Sequence, residues 1–535
     1  MYPHPLDENW DPKALTYPKC YHHTFITAAL NKPNWTSQVA DRSIVAKWLR
    51  EAHESETRYS VYGDKRQVPH FPAWNASDIR YVWQELANCR QYVELLRAQG
   101  CKVEPDARGT WKGDGIVGEE LRRKLIESVG IIENISAHPK GRDAMRRRPV
   151  LDLIDPGLWP IMYGRTRNFI DNKLIRVPPR SIQRTNPGNR RSGYSHKFCW
   201  LPSEFEVSAD GKKTKIFSYI NNFSPLMAQQ GQFYSILEDI FTCFVPLFNH
   251  VLADLLRHQP RGAPTVTSKD NIPREDYRDQ WENMLHQFEH GEDPSIVEFT
   301  DGHCSNYFQC QTNVKDDKCP EICHLETLNK QDIWTPPHIS SATRLEGRNV
   351  KVIVKLSNIN LTPEIPRYQG SDWHTDATLN ERIIATGIYY YAQENITDPY
   401  LDFMIPESRV LGGVLAKDNR AVAYPNILEH RARSFELIDK TKPGYQKMLI
   451  FFLCDPSESH KIPTTRTVAP QQPEEQIAWL TNELRQGKLG ELPEDVFKLI
   501  VDEIIDAMLP PLPRKQAEAY QRADDCSSIM RLYLI

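Results

Sequence analysis

Short runs of β-forming residues, separated by turn residues, constrain the second half of the chain more than any other feature. The first run reads VKVIVKLSNINL over 350–361 and is rich in Val and Ile. Further runs cover 383–391, 410–415, 421–424 and 448–453, with Pro, Gly and Asn between them. Several short strands punctuated in this way predict a β-barrel or a β-sandwich.

Helical patterns flank and interrupt this β-rich region. Strand-forming residues on either side of Asp210-Gly211 predict a hairpin from about residue 198. Two stretches after residue 470 open on Pro-Glu, which suits a helix N-terminus. Apolar residues also recur at three- and four-residue intervals over 37–56, 77–99, 119–135, 233–258 and 276–290.

These patterns predict an α+β protein in three parts. Residues 1–190 form a mainly helical N-terminal region. Residues 191–470 form the β-domain, with a helical insertion at about 228–340, and residues 471–535 form C-terminal helices. The length of 535 residues is sufficient for this many structural units.

Composition argues against several classes of partner. The chain has 66 basic and 70 acidic side chains, so no global field favours nucleic acid or an anionic membrane surface. We see neither a signal peptide nor an apolar run long enough to span a bilayer, and we expect a cytoplasmic protein. The odd number of cysteines, 11, then predicts free thiols rather than disulfides.

The stretch Trp373-His374-Thr375-Asp376 carries the strongest chemical signal. In a strand, residues two apart point to one face, so His374 and Asp376 can present a nitrogen and an oxygen to one point. His430 follows another strand-type run. Two imidazoles and one carboxylate leave metal positions open, which suits Fe(II), although Mn and Ni accept the same ligands. The alternative is that these histidines are buried, hydrogen-bonded core residues.

Three long stretches of the chain read KLSNINLTPEIPRYQGSDWHTDATLNERIIATGIYYYAQENIT, YPNILEHRARSFELIDKTKPGYQKMLIFFLCDP and IPTTRTVAPQQ. With these motifs the chain resembles the fungal family called domain of unknown function 4246 (DUF4246), from about residue 31 to residue 472. This resemblance implies a double-stranded β-helix, which is a jelly-roll or cupin-like fold, and an Fe(II)/2-oxoglutarate-dependent oxygenase. His374, Asp376 and His430 would then be the catalytic iron ligands, with Asp376 where the family usually has Glu.

The resemblance also implies a basic residue that anchors the distal carboxylate of 2-oxoglutarate. Related sequences read Gly-His-Arg-Lys where this chain has Gly-Tyr-Gln446-Lys447, and Gln446 cannot neutralise a carboxylate. Lys447 is the nearest replacement, although strand alternation aims it away from the face of Gln446. Arg433 and Arg466 are further candidates, unless they are surface charges.

Three more residues are candidates for holding cosubstrate or substrate by hydrogen bonds. Asn358, Tyr389 and Tyr391 lie in predicted strands where related enzymes have such residues. Core packing is the alternative reading for the tyrosines.

A group of cysteines predicts a possible structural zinc site. Cys304, Cys310, Cys319 and Cys323 fall within a short polar segment, and four thiolates can close a tetrahedral zinc site. Their spacing is irregular and contains no Cys-x-x-Cys pair, so free thiols in an insertion are the alternative.

Together these features predict an oxidoreductase that uses Fe(II), 2-oxoglutarate and O2 to hydroxylate, desaturate or cyclise a small organic substrate. Two other hypotheses stay open. One is a metal-dependent cupin-like enzyme that does not use 2-oxoglutarate, and the other is a non-catalytic binding protein on the same fold. The sequence contains no motif of a serine hydrolase, a P-loop enzyme or a dinucleotide-binding fold.

Overall fold

A computed structural model of the chain describes most of the β-rich region and the helices around it. The described residues are 2–6, 17–54, 76–136, 149–170, 173–177, 194–195, 197–223, 232–257, 275–292, 334–405, 410–457, 462–472, 481–482, 484–486, 488–507 and 514–519.

The helices follow the predicted amphipathic stretches with one division and one addition, since the helix at Tyr17–Leu30 was not predicted. Helical structure is interrupted between Gln38 and Arg42, so two helices replace the single one predicted over 37–56. The Asp41 carboxylate accepts a hydrogen bond from the Ser43 N–H at 2.9 Å, as an N-cap residue does. The helices are α1 (Tyr17–Leu30), α2 (Trp35–Gln38), α3 (Arg42–Glu54), α4 (Ala76–Ala98), α5 (Glu119–Ser136), α6 (Phe233–Arg257), α7 (Glu275–Glu289) and α8 (Glu494–Ala507), with a 3-10 helix at Lys488–Glu491.

The strands are concentrated after residue 349. They are β1 (Val103–Pro105), β2 (Trp111–Asp114), β3 (Val150–Ile154), β4 (Ile161–Met162), β5 (Arg167–Ile170), β6 (Lys173–Arg176), β7 (Phe198–Cys199), β8 (Ser203–Val207), β9 (Thr214–Ile216), β10 (Asn349–Leu361), β11 (Arg367–Tyr368), β12 (Ile383–Glu394), β13 (Tyr400–Met404), β14 (Val410–Leu415), β15 (Arg420–Pro425), β16 (Glu429–Ala432), β17 (Phe435–Glu436) and β18 (Gly444–Cys454).

A nine-stranded sheet forms the centre of the molecule. Its order is β1-β2-β15-β12-β18-β10-β8-β9, and β3 also pairs with β10. Its pairings are antiparallel, and Ile450 of β18 lies between Lys355 of β10 and Ile388 of β12. Because side chains alternate along a strand, this register decides which residues share each face.

One face of the large sheet, here called the helix face, packs against α6. Leu449 and Phe451 of β18 share a buried apolar core with Phe244 and Phe248 of the helix. The rings of Phe244 and Phe451 lie 5.5 Å apart between centroids in an edge-to-face arrangement. This contact buries the apolar side of a helix that is rich in aromatic residues.

The opposite face, here called the inner face, packs against a second sheet of order β14-β13-β16. Ile388 and Val422 of the large sheet share a buried cluster with Leu401, Phe403 and Val414 of the second sheet. Two antiparallel sheets that pack in this way enclose a core between them. The predicted α+β class, with antiparallel sheets, is confirmed.

The N-terminal third contributes to the same sheet. Strands β1, β2 and β3 precede residue 190, so this mainly helical region also supplies strands. β2 pairs with β15 and with β1, and β3 pairs with β10. The predicted hairpin around Asp210-Gly211 is formed by β8 and β9, and Gly211 has the positive φ of 69° that suits glycine in a turn. The three part boundaries stay a prediction.

One helix within the described residues is long and apolar enough to cross a membrane, in contrast to the sequence expectation. It is Phe233–Leu256, and 78% of its most apolar stretch is buried inside the protein. Its contacts with the large sheet make it a core helix here.

Replacing Gly387 by Ala tests the contact between the large sheet and α6. An added Cβ would lie 2.8 Å from the Phe244 ring and 2.9 Å from the Phe248 ring, and such overpacking costs about 1–3 kcal/mol. We expect urea denaturation to report this loss in the free energy of unfolding. Gly130→Ala is the control: it meets nothing within 4 Å in α5 and should stabilise by about 0.5–1 kcal/mol. An unchanged midpoint for Gly387→Ala would contradict the packing.

Candidate metal centre

The backbones of His374 and His430 pair directly. Each N–H donates to the carbonyl of the other residue, at 3.1 Å from His374 and 2.9 Å from His430. This isolated antiparallel bridge joins the segment before Asp376 to β16. Side chains of such a pair lie on the same face, and the two imidazole centroids are 4.4 Å apart.

Asp376 is held by a neighbouring asparagine rather than by a strand, which corrects the sequence expectation. Its N–H donates to Asn426 Oδ1 at 2.8 Å, and Asn426 Nδ2 donates to the Asp376 and Ile383 carbonyls at 3.0 Å each. The next residue, Ala377, has a left-handed φ of 58°, so the chain turns sharply here. Asn426 is fully buried, and its amide completes hydrogen bonds that the turn leaves open.

The carboxylate of Asp376 has its two oxygens in different environments. Thr386 Oγ1 donates to Oδ2 at 2.6 Å. Oδ1 lies 3.7 Å from His430 Nε2. The hydroxyl therefore orients the carboxylate so that one oxygen faces the imidazoles.

Ligand-type atoms of His374, Asp376 and His430 all lie within 4.8 Å of one another. The Asp372 carbonyl is 2.8 Å from His374 Nδ1. Because a carbonyl only accepts, Nδ1 must carry a proton, so Nε2 is the nitrogen that can offer a lone pair in the neutral form of the ring. Such a fixed tautomer is typical of histidines that bind metals.

Burial keeps the second histidine neutral. It lowers the pKa of His430 to about 4, although the Asp376 carboxylate opposes the shift. The Tyr424 ring packs 4.8 Å from the His430 ring, and burial raises the pKa of its hydroxyl well above the ordinary range. A neutral imidazole is the form that binds a metal ion.

Lys355 shares the inner face with this site, and our sequence analysis missed it. Lys355 of β10 lies opposite Ile450 of β18. Thr386 lies opposite Phe452, which is two residues, or about 7 Å, further along β18. The Lys355 Nζ is 3.3 Å from Asp152 Oδ2. Burial lowers the pKa of this ammonium, but nearby carboxylates, including Asp376, outweigh burial, so the pKa is raised and the charge is retained.

Lys447 lies on the other side of the sheet. Its Nζ donates to Glu133 Oε1 of α5 at 2.7 Å, and Asn358 Nδ2 donates to the same oxygen at 2.5 Å. It alternates with the inner-facing Gln446, as strand geometry requires. The structure therefore does not bring Lys447 to the three candidate ligands.

Gln446 faces inward but lies far along the strand. Its Nε2 donates to the Ala416 carbonyl at 3.1 Å, and the residue is buried. Six residues separate it from Phe452, which corresponds to about 20 Å of strand. Gln446 therefore lies outside the candidate metal centre.

The other predicted hydrogen-bonding residues belong to the helix face. Tyr391 OH donates to Asn358 Oδ1 at 3.3 Å, and Tyr389 OH donates to Asn419 Oδ1 at 2.8 Å. Both tyrosine rings lie in the core shared with α6. These contacts agree with the alternative interpretation, in which Tyr389 and Tyr391 pack in the core.

The two arginine candidates also make contacts elsewhere. Arg433 Nη2 donates to Asp402 Oδ1 at 2.5 Å, on the outer side of the second sheet. Arg466 Nη1 donates to Glu204 Oε2 at 3.3 Å, and its side chain is largely exposed. The structure brings neither arginine to the candidate ligands.

The cysteines proposed to bind zinc, Cys304, Cys310, Cys319 and Cys323, lie outside the described residues. The six cysteines within the described part, by contrast, are free thiols, as the odd cysteine count predicts.

Three residues missed by sequence reasoning contribute to the centre. Lys355 could have been found from the alternation of β10, because a lysine shares a face with Ile353 and Ile359 there. Thr386 and Asn426 carry no local signal, since each is an ordinary polar residue in or beside a strand.

The fold and the centre define an α+β protein with two histidines and one carboxylate at a candidate metal centre. The chain belongs to the family described as Protein of unknown function (DUF4246), whose profile matches residues 76–479. A second profile, Domain of unknown function DUF4246, N-terminal, matches residues 1–51. A comparison with curated proteins found no significant match.

Comparison with solved structures found distant similarity. An IDO from Bacillus thuringiensis is 8% identical with a TM-score of 0.17, over 20% of this chain and 46% of that one. TqaL, described as an Fe(II)/(alpha)ketoglutarate-dependent dioxygenase, is 11% identical with a TM-score of 0.21, over 50% and 70%. A Pseudomonas putida prolyl-4-hydroxylase is 11% identical with a TM-score of 0.14, over 19% and 49%.

Thr386→Val tests whether the hydroxyl orients Asp376 for a metal ion. The substitution removes the donor to Asp376 Oδ2, and loss of such a supporting hydrogen bond weakens metal binding by about 10- to 100-fold. Titration with Co(II) measures the affinity. Thr378→Val is the matched control, because Thr378 Oγ1 donates to the buried Glu381 carboxylate at the same 2.6 Å. Equal Co(II) affinities in the two variants would contradict the role of Thr386.

Proposed function

We propose that this protein is a non-haem Fe(II), 2-oxoglutarate-dependent oxygenase that hydroxylates, desaturates or cyclises a small organic substrate. The observation that carries the proposal is the convergence of His374, Asp376 and His430 within 4.8 Å. These residues come from two segments far apart in sequence, and two orientated imidazoles beside a carboxylate suit a divalent cation.

The donor set fits Fe(II). Two imidazole nitrogens and one carboxylate oxygen hold one side of the ion and leave positions for other ligands. When bound, Fe(II) would supply a site at which O2 is activated for oxidation of a C–H bond. The half-exposed His374 and the buried His430 suggest that substrates approach from the side of His374.

The arrangement of sheets supports the fold that this function implies. Two antiparallel sheets enclose an apolar core, and the three candidate ligands lie at one end of that core. We propose that the architecture is a double-stranded β-helix of the jelly-roll or cupin-like kind. Its walls would keep water from the reacting C–H bond.

Lys355 is the residue that we propose as the anchor for the distal carboxylate of 2-oxoglutarate. It is charged, lies on the inner face near Asp376, and forms an ion pair with Asp152 at 3.3 Å. An ammonium has three donors, so Lys355 can keep Asp152 and still bind a second carboxylate. Burying that carboxylate without such a partner would be costly.

Anaerobic titration with Fe(II), with and without 2-oxoglutarate, tests the proposed function. We expect the visible absorption of a 2-oxo acid bound to Fe(II) to require both additions and to be lost in His374→Ala. Iron binding without that absorption would favour a metal-dependent cupin-like enzyme that does not use 2-oxoglutarate. Absence of metal binding would favour a non-catalytic binding protein and overturn the proposal.

Lys355→Met should weaken 2-oxoglutarate binding at least about tenfold, because a hydrogen bond to a charged group contributes about 1.5–3 kcal/mol. The same titration measures this affinity in variants that still bind Fe(II). Lys447→Met is the matched control, because it removes a lysine ion pair on the helix face. A larger loss of 2-oxoglutarate affinity in Lys447→Met than in Lys355→Met would overturn the assignment of the anchor.

A further inference from the structure

Arg431 follows His430 and Trp373 precedes His374, and these two residues form a second contact on the opposite side of the paired segments. The bridge between the two histidines places Trp373 directly across from Arg431. The guanidinium carbon of Arg431 lies 4.6 Å from the centroid of the Trp373 ring. The imidazoles thus meet on the inner side while the guanidinium and the indole stack on the outer side.

The buried carboxylate of Asp402 holds the Arg431 side chain through a hydrogen bond. Arg431 Nε donates to Asp402 Oδ2 at 3.4 Å, and the Asp402 side chain is only 1% exposed. A buried carboxylate is costly unless it is paired, so Asp402 holds its arginine partners firmly. The neighbouring Phe403 lies opposite His430 and packs on Tyr424, so β13 supports both sides of β16.

Stacking on Arg431 is a side-chain contact that helps to hold Trp373. Its indole N–H is buried and has no hydrogen-bond partner within the described part of the chain. Apart from the bridge, the segment is attached to β16 through hydrogen bonds between Ser371 and Ala432, at 2.9 Å. The Trp373–Arg431 stack lies between these two backbone attachments and adds a side-chain contact to them.

We propose that Asp402, Arg431 and Trp373 form a brace that sets the separation and orientation of His374 and His430. They are positioning residues, because they act on the metal through the two histidines and do not touch it. The inference rests on the proposed metal site. It predicts that metal affinity depends on the planar guanidinium of Arg431 more than on its charge.

Arg433 provides a closely matched control. It donates to the same Asp402 carboxylate, through Nη2 at 2.5 Å and Nε at 3.2 Å. It also stacks on an aromatic ring, with its guanidinium carbon 4.6 Å from the centroid of Tyr400. Its stacking partner belongs to β13 and not to the segment that carries His374.

The test compares Co(II) affinity in the full-length chain with the wild type, Arg431→Lys, Arg431→Met and Arg433→Met. Urea unfolding of each metal-free variant measures stability separately. We expect both Arg431 variants to weaken Co(II) binding by about 10- to 100-fold and to shift its visible spectrum, because support around metal ligands has effects of this size. Arg433→Met should stay within about twofold of the wild type, even if it loses as much stability.

Variants of Trp373 separate positioning from general packing. Trp373→Phe keeps an aromatic face and should retain Co(II) affinity, because the lost indole N–H has no hydrogen-bond partner among the residues that the structure describes. Trp373→Leu should weaken binding as Arg431→Met does. Equal weakening in Arg431→Met and Arg433→Met, or an unchanged affinity in Arg431→Met, would overturn the brace. A wild type that binds Co(II) no better than His374→Ala would instead overturn the proposed metal site.

Discussion

The reciprocal backbone pairing of His374 and His430 is the constraint on which the candidate centre depends. A hydrogen-bonded antiparallel pair holds two residues about 5.5 Å apart between Cα atoms and points both side chains the same way. The imidazoles therefore converge without needing a direct contact of their own. Asn426 adds the third element, because its amide ties the turn at Asp376 to the start of β12 at Ile383.

Strand alternation decides which charged residues share the space with this centre. Lys355 lies on the inner face and pairs with Asp152, whereas Lys447 lies on the helix face and pairs with Glu133. Both lysines are partly buried, so each needs a carboxylate nearby. A shift of one residue in register would exchange the two faces, and the long pairing of β10 with β18 prevents such a shift.

The same alternation lets one short strand serve two purposes. In β16, His430 points inward to the other two candidate ligands, and Arg431 points outward to Asp402 and Trp373. A substitution on the outer side can therefore alter the position of His430 on the inner side through the backbone. The outer contacts are polar and stacked, and a planar guanidinium holds a more defined orientation than a flexible ammonium.

Local patterns in the sequence by themselves determined the α+β class, the longer strands β10, β12, β14, β15 and β18, and the identity of His374, Asp376 and His430 as candidates. They did not predict β13 and β16, which form most of the second sheet. Periodicity and residue chemistry are local properties, so they can be recognised from the sequence alone. Only the tertiary structure decided that β1, β2 and β3 join the large sheet, that Lys355 rather than Lys447 lies with the candidate ligands, and that Thr386 and Asn426 hold Asp376. These outcomes depend on register and on contacts between residues distant in sequence, such as Asp376 and Asn426. Alternation along β10 groups Lys355 with Ile353, but it does not tell that this face meets the candidate ligands.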